Sequence, residues 1–120
     1  MSLRTCYEAW GGNYDEALGR LMTERLMQKF VLKFLNEGSY ELLLTALDAK
    51  DGEAAFRAAH TLKGVCLNLS FDKLIHSVEP LCEAVRHGWT DDALSLAEPV
   101  KVDYQQTIAA IRALQAELEG

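Results

Sequence analysis

The sequence predicts an all-α protein: an antiparallel up-down four-helix bundle with short accessory helices at its N-terminus. Three observations lead there. Apolar residues recur at spacings of three and four along most of the 120 residues, the period of one helix face. The breaks between these stretches are helix punctuation, at Gly11-Gly12, Asn36-Glu37-Gly38, Asp51-Gly52 and Gly88. Nothing reads as a strand ladder. Amphipathic helices joined by tight turns pack as antiparallel neighbours, which is a bundle. The length suits one core, so residues 1–120 read as a single domain.

Taken in order, residues 2–10 form a short helix stopped by Gly11-Gly12, and Asn13 caps a second running to about Met22. Thr23 caps TERLMQKFVLKFLNE, with Leu26, Phe30, Val31, Phe34 and Leu35 at helical spacing. Asn36-Glu37-Gly38 breaks it, and Ser39 caps a continuation to about Lys50. The first rod of the bundle therefore covers roughly 23–50, broken near 38. The second covers 52–69, with a stripe of Ala55, Ala59, Leu62, Cys66 and Leu69. After a corner at Ser70-Phe71, Asp72 caps the third, 72–88, with Leu74, Val78, Leu81 and Val85 inward. Gly88 ends it. Thr90 caps the last, 91–118, with Ala93, Leu96, Val100, Ile108, Ile111, Leu114 and Leu118 inward. Pro80 and Pro99 fall inside helical patterns, where each should kink its helix or mark a boundary. Trp10 and Trp89 flank turns and are expected to pack bundle ends.

Composition narrows the function classes. A net charge of −6, from 18 acidic and 12 basic residues, lacks the basic stripe of a nucleic-acid binder and disfavours an anionic membrane surface. Cys6, Cys66 and Cys82 are an odd set with no Cys-x-x-Cys pair, pointing to a reducing compartment and a cytoplasmic protein. No apolar run is long enough to span a bilayer. Gly11-Gly12 is too little for a nucleotide loop. His76, Glu79 and Glu83 share a helix face, but one reversed Glu/His set without a second copy reads as a solvated face and not as a metal site.

One helix carries a feature that core packing does not require. On a wheel of 52–69, Leu62 and Leu69 lie opposite His60. Arg57, Gly64 and Leu67 share the histidine's face, flanked by Phe56 and Lys63. Alanine at 64 would favour the helix by about 1 kcal/mol over glycine. A helix surface without a side chain there is flat and lets another protein approach the imidazole. Lys63 is placed to reach an anionic group on the ring.

The segment AHTLKG at 59–64, followed by Asn68-Leu69, resembles the histidine-containing phosphotransfer (HPt) domains of two-component phosphorelays. Their pattern is His-x-Leu/Ile-Lys-Gly, with a small residue, usually glycine, ten positions after the histidine. The resemblance covers nearly the whole chain. It implies the four-helix bundle with accessory N-terminal helices. It implies that His60 accepts a phosphoryl group from a receiver-domain aspartate and relays it to another receiver. Lys63 would screen the phosphoryl charge and Gly64 would admit the receiver, with Phe56, Arg57 and Leu67 on the contact rim. The implied partners are receiver domains of response regulators or hybrid histidine kinases. The protein would be a monomer without kinase activity or a cofactor of its own, Mg²⁺ belonging to the receiver. An imidazole titrating near pH 6.5 keeps a neutral nitrogen available for attack. Rival readings are a bundle that binds receivers without being phosphorylated, and the substrate domain of a histidine kinase.

The sequence departs from the family pattern in three places. Ser70 stands where glycine is usual. Val65, Cys66 and Leu67 replace small residues. Cys82 occupies the position, twenty-two after the histidine, where Glu or Gln often hydrogen-bonds the ring. A thiol is a poor substitute. Glu79 or Glu83 would then orient the ring, or it is less constrained, and Arg86 would help hold phosphoryl oxygens.

Overall fold

The computed structural model describes residues 2–120. Among them there are seven α-helices and one short 3₁₀ turn, and no strand: α1 (Leu3–Ala9), α2 (Tyr14–Leu21), α3 (Glu24–Lys33), the 3₁₀ turn (Phe34–Asn36), α4 (Ser39–Asp48), α5 (Gly52–Leu69), α6 (Asp72–Ala84) and α7 (Asp92–Glu119). The molecule measures 42 × 27 × 18 Å. Its length is that of α7, whose 28 residues rise about 1.5 Å each.

Side-chain caps set four of the helix starts. Ser2, Asn13, Thr23 and Asp51 accept from the backbone N–H groups of Thr5, Glu16, Leu26 and Ala54, at 3.0–3.1 Å. Three other expected caps are corrected by the structure. Ser39 is the first helical residue of α4 and is buried; its N–H donates to the Glu37 carboxylate, which does the capping. Asp72 lies inside α6, because the preceding Phe71 is fixed in the core and packing decides where the helix begins. Thr90 precedes a cap at Asp91, whose carboxylate accepts the Trp89 indole N–H at 3.0 Å instead of capping. Helix α6 also stops at Ala84, earlier than expected, and the chain turns through His87.

The stripes expected of the second and third rods are buried. Ala55, Ala59, Leu62, Cys66 and Leu69 of α5 are at most 2 % exposed, and Leu74, Val78, Leu81 and Val85 are fully enclosed. The other two stripes are mixed: Leu26 and Leu118 are exposed, 39 % and 48 %, Phe30, Leu35 and Leu96 are half-buried, and Met27 takes the core position beside Val31 and Phe34. Neither Pro80 nor Pro99 marks a boundary; α6 and α7 run through them. Both prolines are on exposed faces, where water can satisfy the carbonyls of His76 and Ser95 that lose an N–H partner.

Helix α5 packs on α4 before it and α6 after it, α6 packs on α7, and α3 reaches both α5 and α7. Gly52 lets the start of α5 pass the Gly88-Trp89 backbone, since a Cβ there would lie 2.2 Å from the Trp89 nitrogen. At the other end of α5, helices α1 and α2 close the molecule. Tyr7, Trp10, Phe34 and Phe71 form a ring cluster there, with Phe71 5.8, 5.4 and 5.2 Å from the other three centroids. Trp10 is buried as expected for a bundle end, and Trp89 is half-buried.

Candidate functional site

The same phase that buries the α5 stripe carries His60 to the outer surface, where it is exposed. Among the described residues neither ring nitrogen has a hydrogen-bond partner. The ring is not untouched. Phe56, one turn earlier, lies nearly parallel to it, with centroids 5.6 Å apart and planes 19° apart.

Residues from α6 and the turn after it complete the surroundings. The Arg86 guanidinium lies 5.3 Å over the Phe56 ring and is held by Glu83 through contacts of 3.0, 3.1 and 2.6 Å. This pairing pulls the Glu83 carboxyl below its usual range and raises Arg86 above its own. On the next turn of α5, the Lys63 ammonium stands 3.6 Å from Glu79. Position 64 is open: an added Cβ would meet nothing within 4 Å. Leu67 continues this face and is 47 % exposed. Arg57 is also exposed, paired to Glu53 at 3.1 Å. Beside it, a groove of about 350 Å³ between α4 and α5 is lined by Leu42, Ala46, Ala58 and Thr61 among others.

The structure therefore brings Phe56, His60, Lys63, Glu79, Glu83 and Arg86 into one neighbourhood, but not with the expected contacts. Neither Glu79 nor Glu83 orients the imidazole; each carboxylate is engaged by a cation, Lys63 and Arg86 respectively. Cys82 does not bond the ring either. It is 3 % exposed, and burial pushes its thiol up although Lys63 and Arg86 pull the other way, so it stays protonated. The ring contact of Phe56 was missed from sequence, where Phe56 stood only on the rim. The signal was its spacing of four from His60, at which side chains on a helix meet.

The departure at position 70 has a structural account. Ser70 ends α5 in the left-handed region, φ 54° and ψ 44°, which explains why glycine suits the position. Its buried hydroxyl donates to Glu16 at 2.7 Å and accepts from Arg20 at 2.9 Å. Arg20 also donates to the Leu67 and Asn68 carbonyls, and the Tyr7 hydroxyl to that of Leu69. Arg20 thus satisfies the open end of the histidine-bearing helix.

Taken together, fold and site define an all-helical protein that presents an unbonded imidazole beside an ammonium group on an accessible helix face. A neutral nitrogen so placed can act as a nucleophile toward an electrophile brought by another molecule, and Lys63 can neutralise anionic charge arriving there. Residues 34–119 match the family model described as the Hpt domain, and the chain belongs to that family. The family is one of histidine phosphotransfer in two-component signalling, acting as phosphotransfer intermediates. Comparison with curated proteins and with solved structures found no match. No group of three or more His, Cys, Asp or Glu side chains among the described residues is arranged to hold a metal ion, and none of their helices is long and apolar enough to cross a membrane.

Proposed function

We propose that the protein is a phosphorelay intermediate in which His60 accepts a phosphoryl group from a receiver-domain aspartate and passes it to a second receiver. The observation that carries this is the exposed, unbonded His60 imidazole within the family-matched stretch, next to Lys63 and the bare surface at Gly64. In the transfer, a ring-nitrogen lone pair attacks phosphorus. An N–P bond forms, the acyl phosphate O–P bond breaks, and its electrons return to the aspartate carboxylate. The reverse step delivers the group onward. Positioning and charge stabilisation carry most of such a reaction. Lys63 supplies charge by exchanging its Glu79 partner for phosphoryl oxygens. Mg²⁺ and the acidic pocket belong to the receiver, which docks on Gly64, Leu67, Arg57 and the apolar groove beside them.

In this reading α3–α4, α5, α6 and α7 are the four rods of an antiparallel up-down bundle. The short links at residues 49–51 and 70–71 support that direction, since mutually packed helices so joined must reverse. The protein works as a cytoplasmic monomer without kinase activity, between receivers of response regulators or hybrid kinases.

Incubation with a phosphorylated receiver tests the assignment. The wild type takes up label, His60→Gln takes up none, and Lys63→Ala transfers about tenfold more slowly. Label on His60→Gln equal to wild type would show the assignment wrong. Binding of a receiver without labelling would instead mark a binding-only bundle. Labelling only from ATP and a histidine kinase would mark a kinase substrate domain.

A further inference from the structure

The geometry points to Phe56 as the positioning residue for the His60 ring, a role that rests on the phosphoacceptor reading above. An exposed histidine on a helix samples its rotamers on the picosecond to nanosecond scale, and only some present a nitrogen in line with an incoming phosphorus. A hydrogen bond from a neighbouring helix would restrict the ring, but Cys82 is buried and Glu79 and Glu83 are engaged elsewhere. What does touch the imidazole is the Phe56 ring, at 5.6 Å and 19°. Aromatic pairs hold offset, near-parallel geometry at such separations.

Phe56 is itself held. It packs against the core and is half-buried. Arg86 lies over its ring at 5.3 Å, and Glu83 fixes the guanidinium through both carboxylate oxygens. Orientation thus passes from the end of α6 to the imidazole through an aromatic face. Among the described residues, the stack leaves both ring nitrogens free of donors and acceptors. Arg86 then serves chiefly to hold Phe56, where the sequence suggested phosphoryl contact.

Nuclear magnetic resonance of the unphosphorylated protein reads the stack directly. Ring-current shielding displaces the His60 ring protons upfield of those of His76 and His87, which are exposed and lack a ring neighbour among the described residues. Phe56→Leu removes the displacement while keeping apolar volume, and Phe56→Tyr preserves it. With a phospho-receiver, Phe56→Leu lowers the saturated transfer rate about three- to tenfold and leaves the half-saturating receiver concentration in place, and Phe56→Tyr restores the rate. His60 protons in the wild type coinciding with those of His76 and His87 would overturn the proposal, without need of a variant. So would a Phe56→Leu effect confined to the half-saturating concentration, the mark of a docking contact. Labelled His60→Gln would instead overturn the phosphoacceptor reading, and the ring shifts would then report a structural contact alone.

Discussion

Gly64 keeps a helix-weakening residue where nothing in the protein requires one. No neighbour would obstruct a Cβ, so Gly64→Ala is expected to stabilise the protein by about 0.5–1 kcal/mol, read as a higher urea midpoint. Gly64→Gln is expected to raise the receiver concentration for half-maximal transfer at least about tenfold, because its side chain projects over the approach to His60. Stability and transfer should thus move in opposite directions. Unchanged transfer in Gly64→Gln would remove access as the reason for the glycine. The cysteines need no such account: burial pushes the Cys66 thiol up to about 12 and raises Cys6 and Cys82, so all three behave as small apolar groups.

For α5 as an element, the C-terminal end is the informative one. A left-handed serine carries a backbone cost, and its hydroxyl offsets that cost through Glu16 and Arg20. Ser70→Ala keeps the strain and leaves the network unpaired, so it is expected to lose about 1–2 kcal/mol in denaturant unfolding. Ser70→Gly relieves the strain and should fall between alanine and wild type. The alanine variant proving as stable as wild type would contradict this. The Ser70 hydroxyl, and then Arg20, hold the Glu16 carboxyl below its ordinary value. A carboxylate depressed in the folded state stabilises above its unfolded pKa, near 4.3, and loses that stabilisation as pH falls through the folded value. The stability gap between wild type and Glu16→Gln should therefore be full at neutral pH and close below about pH 4. A gap constant from pH 7 to pH 3 would exclude the linkage.

On the scale of the whole molecule, residues 2–33 lie outside the family-matched stretch yet complete its core. Tyr7, Trp10, Met27 and Val31 are at most 1 % exposed, and Tyr7 and Trp10 cover Phe71. Burying a large side chain contributes about 1.5–3 kcal/mol, and several are at stake against a typical total of 5–15 kcal/mol. A chain cut to residues 34–120 is expected to unfold at least about 10 °C below the full chain by circular dichroism. Equal melting temperatures would mean that the N-terminal helices are appended, not integral.

The all-helical class, the span of α5, its buried stripe and the outward phase of His60 were legible in the sequence because helical periodicity is local. A residue's face follows from its neighbours within two turns. The caps at Ser39, Asp72 and Thr90 were misplaced because the Glu37 carboxylate takes the Ser39 N–H, core packing of Phe71 sets the start of α6, and the Trp89 indole takes the Asp91 carboxylate. What only tertiary structure decided are the contacts between elements: Arg20 closing a helix some fifty residues away, Glu79 on Lys63, and Arg86 over Phe56 beside His60. Each depends on where two separately folded helices come to rest. Packing sets that, and no spacing within one helix encodes it.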